Sequence, residues 1–224
     1  MQAELREVLA EAQYRGFIGG TDLDAHLHHA EAFVRVVERL GRLERGLDLG
    51  SGGGLPGLVL AGDLVDTRWW LIDAAQRRAE FLVDAVARLG WEDRVTVAWG
   101  RAEDLARAPD LRGQIDVVTA RAFAPPAVTA ECAAGFLCPG GHLVVSEPPL
   151  GPEGEAIGTR WPVDGLAALG LEPVLVTSTA SGVSPGPQFK VLRQARICPD
   201  RFPRRVGVPS KRPLFGTSSP SVTG

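Results

Sequence analysis

The stretch Leu47–Gly57, LDLGSGGGLPG, limits what this chain can fold into more than any other. Its opening, Leu47-Asp48-Leu49, reads as the end of a short buried strand, and the apolar run Leu58–Ala61 reads as the first turns of a helix. Between them stand Gly50, Gly52, Gly53 and Gly54, then Pro56 and Gly57. A strand, a tight glycine turn and a helix make half of a βαβ unit. Glycine is needed there because the turn takes unusual φ/ψ and because a ligand must approach bare backbone. The free N–H groups of the helix start then face that ligand. Pro56 suits an early helix position, where no donor is lost.

Two ligands compete for such a loop. Gly52, Gly54 and Gly57 satisfy G-x-G-x-x-G, the dinucleotide fingerprint. Asp48, Gly50, Gly52 and Gly54 satisfy D-x-G-x-G-x-G, which resembles the S-adenosylmethionine (SAM) loop of class I methyltransferases. The loop alone leaves both open.

With 224 residues, 45% of them hydrophobic, the chain has the length of one globular domain with a small appendage. It can bury roughly 70% of its unfolded surface, so no disulfide or metal staple is required. Cys132, Cys138 and Cys198 are odd in number and form no C-x-x-C pair, the usage of reduced cytosolic thiols. No apolar run approaches membrane length, and Met1 is not followed by a signal sequence. The expectation is a soluble, cytoplasmic protein with no membrane association and no metal.

The net charge of −3 is unevenly spread. From Gln188 onward Lys190, Arg193, Arg196, Arg201, Arg204, Arg205, Lys211 and Arg212 face a single acid, Asp200, for a local charge of +7 that leaves −10 on the rest. A basic end on an acidic body points to an anionic partner, most simply nucleic acid. Arg204 and Arg205 are expected to hold phosphates there.

Along the chain, residues 1–12 read as a helix. A second helix, capped by Thr21 or Asp22, runs to about Leu40 with an apolar stripe through Leu27, Ala30, Val34 and Val37. This pair is placed to cover part of a ligand cleft. His26 and His29 share a face, with Asp22 one turn earlier; a solvated or RNA-facing histidine face fits them better than a metal pair lacking a third ligand. Strands follow at 68–73, 94–98, 115–119 and 142–146, the last after a Gly140-Gly141 turn, and an amphipathic helix at 74–89. Trp69 and Trp70, inside a strand, are expected in the core. Asp73 ends its strand about 20 residues after the glycine loop, the spacing of a ribose-binding carboxylate. Residues 151–165 read as a loop, and 172–177 and 189–195 as two strands around a Ser178–Pro187 turn, an antiparallel pair at a sheet edge. The end from Gly216 is expected to be disordered. The whole is a doubly wound α/β domain, with its site along the carboxyl ends of the strands.

Four segments, LDLGSGGGLPGLVLA, LIDAAQRRAEFL, GRAED and DVVTARAFAPP, together with RFPRRVGVPSKRPLF near the end, resemble the bacterial small-subunit ribosomal RNA guanine-N7 methyltransferases, the RsmG or GidB family. The resemblance covers Leu47 to Phe215 and favours SAM over a nicotinamide cofactor. It implies a class I SAM-dependent methyltransferase (Rossmann-like) α/β fold, with a seven-stranded, mostly parallel sheet and an antiparallel edge strand. It implies that Asp48, Gly50, Ser51, Gly52, Gly54 and Leu55 shape the pocket for the methionine part of SAM. Asp73 would bind the ribose, and Ala102 and Glu103 would line the adenine. Arg121 would stand near the methyl donor as cofactor contact and candidate catalytic residue, positioning its reactants without moving a proton. Phe123 beside it is a candidate for stacking on the target base. The implied activity is N7-methylation of a guanine in small-subunit (16S) ribosomal RNA.

The chain reads in three parts: a helical segment at 1–41, a SAM-binding domain at 42–199 and a basic, partly disordered tail at 200–224. Two features depart from the family. Its amino-terminal signal has no equivalent here beyond the His26–His29 cluster. Glu147-Pro148 stands where the family carries Lys-Gly, which places an acid at the rim expected to face RNA, where it would weaken phosphate binding. A SAM-binding paralogue with another substrate, or a non-catalytic RNA-binding protein on the same scaffold, are the alternatives these departures raise.

Overall fold

The computed structural model describes residues 3–148, 160–174 and 187–216. Two helices, α1 (Ala3–Tyr14) and α2 (Leu23–Glu38), precede the sheet. Asp22 caps α2 by accepting from the Ala25 N–H at 2.9 Å. Then come β1 (Arg45–Leu49), α3 (Gly57–Asp63), β2 (Arg68–Asp73), α4 (Gln76–Arg88), β3 (Val95–Trp99), α5 (Ala102–Leu105), β4 (Ile115–Ala120), α6 (Pro126–Ala134) and β5 (Leu137–Glu147). The chain continues with α7 (Val163–Ala168), β6 (Leu171–Pro173), β7 (Gln188–Gln194) and α8 (Val208–Lys211).

The seven strands form one sheet in the order β3-β2-β1-β4-β5-β7-β6. β1 to β5 run parallel, while β7 pairs antiparallel with both β5 and β6. This is the class I methyltransferase architecture expected from the resemblance. Alternation along the strands feeds two cores. Trp69, Leu71 and Val117 face α1 to α4, whereas Ile72, Val118 and Leu143 face the layer that holds α6 and α7. The order reverses direction between β1 and β4, and an open α/β sheet binds its ligand at such a reversal. The loop after β1 carries the glycines, and the loop after β4 begins at Arg121.

Two expectations need correction, and one helix is additional. β5 begins at Leu137, ahead of the predicted start at 142, because Gly140-Gly141 is a bulge and not a turn. Ile115 pairs with Leu137 while Val117 pairs with His142, and Gly140, at φ +90°, absorbs the extra residues. Residues 163–165, read as loop, open α7, which is anchored by the buried Leu166. α6 was not foreseen at all; every residue from Ala127 to Ala134 is buried, so it shows no polar face. The predicted Ser178–Pro187 turn falls almost wholly outside the described residues, as does the predicted disordered end beyond Gly216.

The basic stretch also behaves differently from a free tail. Residues 200–216 lie against the body, with Phe202 and Pro209 buried. Arg107 donates to the Pro203 carbonyl, and Arg112 donates to those of Phe202 and Cys198. Arg204 gives three hydrogen bonds to the fully buried Glu131 of α6: its backbone N–H at 2.7 Å, Nε at 2.8 Å and Nη2 at 2.6 Å. Arg204 is therefore a structural clamp and not the phosphate contact expected. Arg201, Arg205, Lys211 and Arg212 remain exposed.

Candidate functional site

The loop after β1 is held from below. Gly50 and Ser51 donate their N–H groups to the Ile72 carbonyl at 3.0 and 2.9 Å. Gly50, Gly52 and Gly54 have φ of +74°, +56° and +99°, the left-handed region where a side chain costs strain. At Gly50 space is decisive too: a Cβ there would stand 2.6 Å from Cδ2 of Phe123.

Asp48 lies beneath the loop, 1% exposed. It accepts from the Gly57 N–H at 3.1 Å and the Thr119 hydroxyl at 2.8 Å, tying β1 to the start of α3 and to β4. Asp48 thus holds the glycine loop from behind. Burial pushes its carboxyl up to about 6, against the pull of these hydrogen bonds and of Arg121. The native state therefore holds this proton over a range where the unfolded chain has released it. Stability from this group is greatest below about pH 4 and is lost as pH rises through about 6. We expect the unfolding free energy of the wild type, relative to Asp48→Asn, to fall over that interval in urea titrations and to level off above it.

Asp73, at the end of β2, accepts from the Gly52 N–H at 2.9 Å and the Ala75 N–H at 2.8 Å. Two backbone donors fix its carboxylate at the loop's edge, with acceptor positions left over. Beside it, Gly50, Ala102, Glu103 and Phe123 line a slot of about 40 Å³. That volume is small, room for about one water, and Phe123 packs over Gly50 at its edge. Burial raises the Glu103 carboxyl, but the Gly207 N–H, donating at 3.0 Å, its own backbone N–H and Arg101 outweigh this and hold it below the ordinary value. The side chain of Glu103 thus serves the carboxy-terminal segment.

On the other side of the loop is a cavity of about 420 Å³, whose walls include Phe17, His26, Ser51, Gly52, Leu55 and Arg121. The turn between α1 and α2 supplies one wall, as the placement of the helix pair before the sheet suggested. Arg121 Nη2 donates to Nδ1 of His26 at 2.5 Å, and Nε2 of His26 meets the Gly19 carbonyl at 2.5 Å. One tautomer, with the proton on Nε2, satisfies both. His26 is therefore neither a metal ligand nor a solvated residue but the brace of Arg121. His29 is half-buried, stacked on Phe33 with ring centroids 5.7 Å apart. Burial, with Arg121 and His26 nearby, holds it down at about 4, so it stays neutral. Among the described residues no cluster of three metal-binding side chains occurs.

A second cavity of about 370 Å³ opens beyond Arg121, bounded by His29, Phe123, Glu147, Arg160 and Trp161. Arg121 and Ala122 line both cavities. Ala122 is at φ +52°, a strained conformation for a residue with a Cβ, and it turns the chain between Arg121 and Phe123. Glu147 is 6% exposed and paired with Arg160 and Trp161, so it lines this cavity as a buried, neutralised acid and not as the unpaired acid facing phosphate that the sequence suggested. The structure thus gathers Asp48, Gly50, Ser51, Gly52, Leu55, Asp73 and Arg121 at the β1–β4 reversal, with Gly54 donating to the Ser51 carbonyl at 2.7 Å within the loop. Sequence reasoning missed His26 as a partner of Arg121, and missed Ala122.

The family model described as rRNA small subunit methyltransferase G, GidB, matches residues 18–147. Relatives named ribosomal RNA small subunit methyltransferase G include that of Deinococcus deserti, 36% identical over 170 residues, which span 75% of this chain and 68% of the relative. That of Kineococcus radiotolerans is 37% identical over 194 residues, 83% of this chain and 68% of the relative. In fold the chain is similar to an O-methyltransferase from Bacillus cereus solved in complex with SAH, with a TM-score of 0.57 at 18% identity, covering 86% of this chain and 90% of that one. No helix among the described residues is long and apolar enough to cross a membrane. The glycine cradle over Asp48, the carboxylate at the end of β2 and the match across the whole βαβ core lead to one conclusion: this chain belongs to the rRNA small subunit methyltransferase G (GidB) family.

Proposed function

We propose that this protein transfers a methyl group from SAM to N7 of a guanine in small-subunit ribosomal RNA. The observation that carries the reading is the pair of cavities meeting at Arg121, one beside the glycine cradle and one beyond it. The residues fit the cofactor. Gly50, Ser51, Gly52 and Leu55 offer a backbone cradle for its methionine part, over Asp48 and Gly54. Asp73 offers acceptors to its ribose hydroxyls, and Ala102 and the backbone of Glu103 border the adenine slot. When bound, SAM supplies a methyl group on a positively charged sulfur.

Guanine N7 attacks with its own lone pair and releases no proton, so the site needs alignment and not a base. The junction suits that. His29, held at about 4, is a poor proton acceptor at neutral pH, and burial lowers Arg121 without discharging it, opposed by Asp48. Arg121, braced by His26, holds the two reactants in register. Exposed Arg201, Arg205, Lys211 and Arg212 add phosphate contacts that carry affinity without sequence choice.

The test is methyl transfer from labelled SAM to small ribosomal subunits lacking their own N7-methylguanine, mapped by borohydride and aniline cleavage. One cleavage site in the small-subunit RNA is the expected result. SAM binding with label on another acceptor points to a paralogue, and RNA binding without SAM binding points to a non-catalytic protein.

A further inference from the structure

We propose that Glu147, fixed by Arg160 and Trp161 and joined by His29, selects guanine in the second cavity by reading its Watson–Crick edge. The proposal rests on the methyltransferase reading for why a base enters there, and adds the residue that chooses it.

Glu147 closes β5 at the cavity wall. Its Oε1 accepts from Trp161 Nε1 at 2.9 Å and its Oε2 from Arg160 Nη1. Trp161 is 2% exposed, so the indole that holds Oε1 is itself locked in the core. The carboxylate is thereby set in one orientation. Each oxygen accepts one bond from these partners and has a further acceptor position. A buried acidic group is expensive unless it is paired; Arg160 and Trp161 meet that cost, so the carboxylate is held ionised and oriented at the cavity wall.

Opposite in character is His29, another wall of the same cavity. Its ring is packed against Phe33 and Phe189, with centroids 5.7 and 5.8 Å away. Its Nε2 is buried and has no hydrogen-bond partner among the described residues. A buried ring nitrogen without a partner carries a cost, which a base in the cavity relieves once the ring turns toward it. Arg121, also on this wall, supplies donors only.

The four bases answer this wall differently. A carboxylate accepts and never donates, so it needs two neighbouring donors to satisfy both oxygens. Guanine alone offers them, N1–H beside the N2 amino group, with O6 as the adjoining acceptor for a neutral histidine or an arginine. Adenine presents one amino group next to an acceptor nitrogen; cytosine presents one next to two acceptors. Uracil presents a single N–H between two carbonyls. A guanine held at N1 and N2 keeps N7 on its opposite edge, clear of Glu147 and free to face the Arg121 junction. Such a base must leave its stack to enter, and Phe123 on the cavity wall offers it a face in return.

The experiment titrates SAH-loaded protein with GMP, IMP and AMP, followed by calorimetry. IMP keeps N1–H and O6 but lacks the N2 amino group. The expected ranking is GMP over IMP by about tenfold and over AMP by about tenfold or more, the discrimination of one bidentate contact. Glu147→Gln should abolish the preference while leaving SAH affinity unchanged. Equal binding of the three nucleotides, no binding of any to SAH-loaded wild type, or an unaltered preference in Glu147→Gln each overturns the proposal. The wild-type ranking stands as a test even if the variant misfolds. Failure of the methyltransferase reading looks different: SAH itself does not bind, or GMP is preferred while ribosomal RNA receives no methyl group.

Discussion

Replacing Arg204 by alanine should destabilise the protein by about 3–5 kcal/mol, a drop of roughly 6–20 °C in melting temperature for a chain of this size. The partner it abandons, Glu131, has a fully buried side chain, and Arg204 supplies all three of its recorded hydrogen bonds, two of them from the guanidinium. The alanine variant leaves the backbone N–H in place but strands most of a buried carboxylate near the Cys132 and Cys198 thiols, both of which it already pushes up. The pair's Coulomb attraction need not exceed its desolvation cost for this to hold, because the loss comes from leaving one charge unpaired. Two comparisons isolate the cause. Glu131→Gln combined with Arg204→Ala removes the stranded charge and should recover part of the loss. Arg205→Ala, one residue away and exposed, should shift stability by no more than about 0.5 kcal/mol, yet weaken RNA binding and flatten its salt dependence. Equal melting temperatures for Arg204→Ala and Arg205→Ala would show that the clamp carries no weight.

That contrast marks where the sequence was readable. The glycine loop announces itself because strand, turn and helix follow within a dozen residues, and each demand is local: left-handed φ at Gly50, a carboxylate two residues before it, an apolar helix after it. The Asp73 position follows from the length of one βα unit. α6 did not announce itself, since a helix buried on every side has no stripe to set its period, and its one acid, Glu131, looks in the sequence like a surface charge. Its partner Arg204 is 73 residues away, and in sequence it is one more member of a basic cluster. Glu147 failed for the same reason. Read alone it is an acid where the family carries a lysine; only the fold brings Trp161 and Arg160 to its two oxygens. His26 is 95 residues from Arg121. Local chemistry is legible in a sequence, whereas pairings closed by the sheet are not.

Asp73→Ala should raise the SAM dissociation constant about 100-fold with little change in fold. Two hydrogen bonds from ribose hydroxyls to a carboxylate are worth about 1.5–3 kcal/mol each, and about 3 kcal/mol in all is roughly 150-fold. The loop itself should survive. Gly50 and Ser51 still donate to the Ile72 carbonyl, and Asp48 still holds Gly57. The Gly52 and Ala75 N–H groups each lose one acceptor, a local cost of about 1–3 kcal/mol apiece in stability. Asp73→Asn keeps one acceptor oxygen and turns the other into a donor facing an N–H, so an intermediate loss of about tenfold is expected. The ligands separate ribose from methionine. Methylthioadenosine retains the ribose but not the amino-acid part, so the Asp73→Ala penalty should be the same for it as for SAH. A penalty confined to ligands with the amino-acid part would move Asp73 from the ribose to the methionine end, and NAD binding at SAM-like affinity would return the loop to the dinucleotide class.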